Sequence, residues 1–140
     1  MRTIALVTQK GGTGKTTLAV SLAIAAQEAG EKVLALDLDP QGSLAAWGGM
    51  RGDSGPHVEK VPAAQVAGLA KTIGGLGSKG FSLTILDTAG ADNPTTHAAM
   101  QAADLCLIPI RPTRLDGLAV APTVQAVARL GRPFAFVLTQ

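Results

Sequence analysis

The chain has 140 residues, 46% hydrophobic and 16% charged, which suits one domain around one core and excludes a disordered segment. A net charge of +2 is too small to argue for nucleic-acid binding by itself, and a single cysteine, Cys106, excludes an internal disulfide. No apolar run reaches the length of a membrane span and no secretory signal opens the chain, so a cytoplasmic protein is expected.

Apolar runs alternate with helical patterns along the chain. A first strand is predicted over Thr3–Thr8, followed by a glycine-rich loop and a helix over Lys15–Ala29. That helix should carry Leu18, Leu22 and Ala25 or Ala26 on one face, with Gly30 as its stop. A strand over Lys32–Asp37 leads to a helix covering Gly42–Trp47 or a little more. Gly48–Pro56 reads as the loosest segment, and a short strand is expected near His57–Val61. A helix over Ala63–Ile73 should end at Gly74-Gly-Leu-Gly. Then come a strand over Phe81–Asp87, a helix over Thr95–Ala102 and a strand over Asp104–Pro109. A last helix ends near Leu130, started or kinked by Pro122, before a strand over Pro133–Thr139. The strand cores, such as Val33-Leu-Ala-Leu, Leu83-Thr-Ile-Leu and Leu105-Cys-Leu-Ile, are continuous apolar runs, as in parallel strands covered on both faces. The expected fold is a single α/β domain over residues 1–140, a doubly wound and mostly parallel sheet with helices on both faces. Ligands should bind at its strand C-terminal ends.

The loop Gln9-Lys-Gly-Gly-Thr-Gly-Lys-Thr-Thr sits between strand and helix, as a phosphate-binding loop must. Gly11, Gly12 and Gly14 allow a tight turn that aims backbone N–H groups at one point, and the next helix adds its positive end. Lys15 can then reach β- and γ-phosphates, and the Thr16 hydroxyl can bind magnesium. A glycine-rich loop alone is more often only a turn. Asp37 and Asp39 close the second strand, and they read either as a helix cap before Pro40 or as ligand-edge carboxylates. Asp87 ends another apolar strand, a plain strand-end aspartate or one that holds magnesium through its water shell. His57 and His97 lack ligand spacing, Trp47 reads as a packing anchor or a partner contact, and Cys106 as a core thiol. Arg111, Arg114, Arg129 and Arg132 outnumber Asp116 after Leu105, which is a basic face or simply a solvated surface.

The loop has Gln9 where the common pattern has glycine, and it carries an extra lysine, Lys10. In this it resembles the deviant Walker A loop of the ParA/MinD family of ATPases. Asp37-Leu-Asp-Pro-Gln resembles the switch I segment of that family, and Asp87-Thr-Ala-Gly its switch II, in the same order. Leu107-Ile-Pro-Ile-Arg-Pro-Thr-Arg-Leu-Asp-Gly is similar to a later segment and favours the ParA side. The resemblance implies a P-loop NTPase whose nucleotide lies on Lys10, Gly11, Gly12, Thr13, Gly14, Lys15, Thr16 and Thr17. It implies that Lys10 crosses to the partner subunit's nucleotide and that Asp39 positions the attacking water. Thr16, Asp37 and Asp87 would serve magnesium. The implied function is an ATP-dependent homodimerisation switch in plasmid or chromosome partitioning. It would hydrolyse ATP slowly, with a ParB-like partner stimulating it, and bind DNA without sequence preference in the full-length form. It would associate with the nucleoid and not with a membrane. The alternatives are a MinD-like membrane cycler, which needs a C-terminal amphipathic helix, and a metabolic P-loop enzyme of the same fold. Family members continue well past this chain's last strand, so the domain is expected to be incomplete at its C-terminus.

Overall fold

The computed structural model describes residues 1–139. Among the described residues, six strands alternate with helices, six of them α-helices, two of which follow one another before the last strand. They are β1 (Arg2–Leu6), α1 (Lys15–Glu28), β2 (Val33–Asp37), α2 (Ser43–Arg51), β3 (His57–Lys60) and α3 (Leu69–Leu76). After them come β4 (Leu83–Asp87), α4 (Pro94–Ala102), β5 (Leu105–Ile110), α5 (Arg114–Ala119), α6 (Ala121–Arg129) and β6 (Phe134–Leu138). The strands form one sheet in the order β3-β2-β4-β1-β5-β6, and every neighbouring pair is parallel. Alternate residues point to opposite faces, so each face has its own core. Leu6, Val33, Ala35 and Ile85 pack with Ala19 and Ala23 of α1 and Leu44 of α2. Ala5, Leu34, Leu36, Leu86, Cys106 and Ile108 pack with residues of α3, α4 and α6 on the other face. Cys106 is thus a core residue, and burial pushes its thiol up to about 11.

Register sets the site. Leu6 of β1 and Asp37 of β2 both pair with Asp87 of β4, so three strands end level at one edge of the sheet. β1 lies between β4 and β5, where the chain order reverses and open α/β sheets leave a crevice.

Several local expectations yield to packing. The buried face of α1 is centred on Ala19 and Ala23, with Leu18, Leu22 and Ala26 half-buried, because small residues let the helix sit close to the sheet. α2 runs on through Gly48 and Gly49 to Arg51, well into the segment read as loosest. A Cβ on Gly48 would stand 2.5 Å from the Val58 Cβ, so glycine here serves the approach of helix to strand. Gly74 and Gly75 do not stop α3 either. The first half of the predicted helix, Ala63–Gly68, is 3-10 helix instead, and burial of Leu69, Ile73 and Leu76 carries the α-helix through the glycines. Pro122 starts α6, after a separate short helix α5. β6 forms as expected but is an exposed edge, not a strand covered on both faces.

Candidate functional site

The chain leaves β1 at the reversal point and folds back over the start of α1. Gly12 and Gly14 take φ of 75° and 87°, a region costly for any residue with a Cβ, and Gly14 is the N-cap of α1. Lys15 is 6% exposed, and its Nζ donates to the Thr8 Oγ1 at 2.8 Å. Thr8 Oγ1 in turn donates to the Lys10 carbonyl at 2.6 Å. Burial lowers the Lys15 pKa, opposed by the carboxylates of Asp87 and Asp39. A desolvated ammonium of this kind gains most when an anion arrives.

Thr16 Oγ1 donates to Asp87 Oδ2 at 2.7 Å, while Asp87 Oδ1 is buried without a partner. Burial first, with Asp37 adding to it, pushes the Asp87 carboxyl up to about 6, against the opposing Thr16 hydrogen bond. A threonine hydroxyl beside a carboxylate oxygen that lacks a donor is a hard-oxygen pair suited to magnesium. Among the described residues no group of three or more His, Cys, Asp or Glu is arranged to hold a metal. The pair therefore fits an ion that draws its other ligands from phosphate and water.

Asp37 and Asp39 part company. Asp37 is fully buried, and its Oδ1 and Oδ2 accept the Asp39 and Ala45 N–H groups at 3.0 and 2.8 Å. It braces the turn into α2 and does not line the cleft beside the glycine loop. Asp39 does line it, and its Oδ1 also accepts the Gln41 N–H at 3.0 Å, so the turn-making reading is realised at the cleft wall. Lys60 Nζ donates to the Pro40 carbonyl at 3.1 Å and steadies the same turn.

From β4, Thr88 Oγ1 donates to the Leu6 carbonyl at 2.8 Å. Gly90 lies against the loop so closely that a Cβ would stand 2.6 Å from Gly11 Cα, Gly11 N and the Lys10 carbonyl. Residues Gly11 to Thr17, Asp39, Thr88 and Gly90 enclose a cleft of about 210 Å³. A wider groove of about 480 Å³ adjoins it, between α1, Arg111 and the end of β6. There Thr139 Oγ1 donates to the Thr13 carbonyl at 3.2 Å, a tie between β6 and the loop that no motif announces.

Lys10 faces another residue that sequence reasoning did not single out. Its Nζ meets Asp116 Oδ1 at 3.0 Å, and the same carboxylate takes a two-pronged bond from Arg111. The late segment around Asp116 was flagged by resemblance, but only the fold brings it to the loop. The four late arginines do not form one face. Arg111 and Arg114 follow β5, whereas Arg129 and Arg132 precede β6, and the parallel pairing of β5 and β6 puts the two pairs at opposite ends of the sheet. His57 pairs with Glu59 and His97 with Asp92 at the surface. Trp47 packs against the α1-side core.

Residues 4–138 match the family described as the CobQ/CobB/MinD/ParA nucleotide binding domain. The chain belongs to this family. Among family relatives, the maintenance of carboxysome distribution protein A of Gloeobacter kilaueensis is 38% identical over 143 residues, 99% of this chain and 63% of that protein. The chromosome-partitioning ATPase Soj of Thermus thermophilus is 30% identical over 138 residues, 79% of this chain and 55% of that protein. The chain thus spans less than two thirds of the length of either relative. The fold is shared with cobyrinic acid a,c-diamide synthase from Mycobacterium smegmatis, solved with bound ADP and magnesium. The TM-score is 0.85 over 99% of this chain and 74% of that one, at 21% identity. No helix among the described residues is long and apolar enough to cross a membrane.

Proposed function

We propose that this domain binds ATP with magnesium and works as a ParA-type switch, in which ATP joins two subunits and hydrolysis parts them. The observation that carries the proposal is the meeting of Lys15, Thr16 and Asp39 at one cleft floored by the glycine loop, with Asp87 buried behind it and bonded to Thr16. The names of the relatives, a partitioning ATPase and a cargo-distribution protein, support partitioning of DNA or another cargo as the role.

In this reading the triphosphate lies along Gly11 to Thr17, with the loop amides and the start of α1 receiving its oxygens. Lys15 exchanges its bond with Thr8 for the β- and γ-phosphates. Thr16 and Asp87 hold the magnesium, whose charge offsets that of the phosphates when it is bound. Asp37 acts one step back, by fixing the turn that carries Asp39. Asp39 orients the water for attack on the γ-phosphate. Gly90 carries the position of the switch after β4 to the backbone of Lys10 and Gly11. Lys10 reaches the nucleotide of the other subunit, so hydrolysis needs the dimer. The rest of the cycle is proposed by kinship: a ParB-like partner that speeds turnover, nonspecific DNA held by the ATP dimer of a longer form, and a cytoplasmic, nucleoid-associated location.

The test is ATP turnover with and without nonspecific duplex DNA, for this chain and for a form extended to the length of its relatives. The extended form should hydrolyse ATP and bind DNA only with ATP, with affinity falling steeply as salt rises. ATP-independent, salt-insensitive binding would count against partitioning and favour the metabolic alternative.

A further inference from the structure

We propose that Asp116 parks Lys10 within its own subunit, and that Arg111 makes this hold releasable. The inference rests on the reading that Lys10 meets the nucleotide of the other subunit. Asp116 is 4% exposed and sits on the short helix α5. Its Oδ1 accepts from Lys10 Nζ at 3.0 Å and from Arg111 Nη2 at 2.9 Å. Its Oδ2 accepts from Arg111 Nε at 2.9 Å and from the Arg111 backbone N–H at 3.1 Å. The Asp116 N–H donates to Thr113 Oγ1 at 3.1 Å, which holds the carboxylate's own backbone in place.

The charges of this group do not cancel. Two cations face one carboxylate, and Arg111 alone satisfies both carboxylate oxygens in the fork geometry that suits a guanidinium. If Lys10 swings away, no buried charge is stranded, and the usual penalty for breaking a buried pair does not arise. The side chain of Lys10 is 44% exposed, so it leaves into open space. Its backbone stays anchored by the bond from Thr8 and by the contact with Gly90. The Lys10 ammonium cannot sit at Asp116 and at a phosphate of the partner subunit together. The ion pair therefore competes with dimerisation, by an amount that Arg111 keeps small.

Two substitutions move the balance in opposite directions. Asp116→Asn keeps the volume and one acceptor but frees Lys10. Arg111→Gln leaves Lys10 as the main counter-ion of Asp116 and holds it harder. Dimerisation is followed by light scattering against a non-hydrolysable ATP analogue, beside monomer affinity for the same analogue at high dilution. Asp116→Asn should lower the analogue concentration at half-dimerisation about two- to fivefold, the scale of a part-exposed ion pair, and Arg111→Gln should raise it. If Asp116→Asn does not fold, the rise in Arg111→Gln carries the test alone. A wild-type chain that dimerises normally, beside an Asp116→Asn form that needs as much analogue or more, would make Asp116 an aid to Lys10 and overturn the parking. A shift in monomer affinity that accounts for the whole change would overturn it too. A wild-type chain that never dimerises with the analogue would overturn the underlying reading and the parking together.

Discussion

Asp87→Asn should stabilise the nucleotide-free protein while destroying magnesium-dependent nucleotide binding. The Asp87 carboxyl is fully buried, and one of its oxygens has no partner. Burial lifts it from 3.8 to about 6. A shift of about two units costs the folded state about 3 kcal/mol wherever both forms are ionised. The contribution of Asp87 to stability is thus fully present below its unfolded value and lost as pH rises through about 6. Asparagine removes that loss. Its amide still accepts from Thr16, but the other end buries an N–H group where no acceptor stands, which costs about 1–2 kcal/mol. The net gain at pH 7.5 is about 1–2 kcal/mol, or about 3–8 °C in Tm for a domain of this size. At pH 4 Asp87 is protonated in the folded protein, so the gain should vanish or reverse. Urea unfolding of both proteins in chelator at the two pH values reads this directly. Asp116 does not confuse the window. Its partners Arg111 and Lys10 hold its carboxyl well below the usual range, so what it contributes is lost only in stronger acid. An Asn variant less stable by the same amount at both pH values would refute the argument that burial sets the state of Asp87.

Lys15→Ala should abolish nucleotide binding, because the loop amides only partly replace this buried cation at the cleft; titration with a fluorescent ATP analogue checks this, and unchanged affinity would move the phosphate site elsewhere. Asp39→Ala should keep nucleotide and dimer but slow turnover by about 10²–10⁴-fold, with the ATP-bound dimer accumulating in light scattering. Normal turnover would leave Asp39 only its bond to the Gln41 N–H. Gly90→Ala should cost about 1–3 kcal/mol in urea unfolding and weaken nucleotide binding, since its Cβ falls on loop backbone that cannot move aside. A variant with wild-type stability would show that the loop and the segment after β4 are not in contact.

The glycine loop was legible because its chemistry is local. Three glycines, a lysine and a threonine between an apolar run and a helical pattern need no distant residue to define them. The alternation of continuous apolar runs with helical patterns likewise gave the α/β class and all six strands, since both signals are written in neighbouring residues. Where local propensity misled, burial had overruled it. Gly74 and Gly75 stay helical because Leu69, Ile73 and Leu76 are buried around them, and Gly48 stays helical because Val58 needs the space. Which of Asp37 and Asp39 lines the cleft was left open by their spacing. It is decided by α2, whose Ala45 N–H takes up Asp37. The contacts of Asp116 and Thr139 with the loop were not legible, even though the segment around Asp116 resembles a family motif, because each reaches the loop across more than a hundred residues. The sequence by itself determined the glycine loop and the kind of sheet that carries it. Only the tertiary structure decided what restrains that loop, because strand order places β5, α5 and the end of β6 beside it and no short-range pattern encodes strand order.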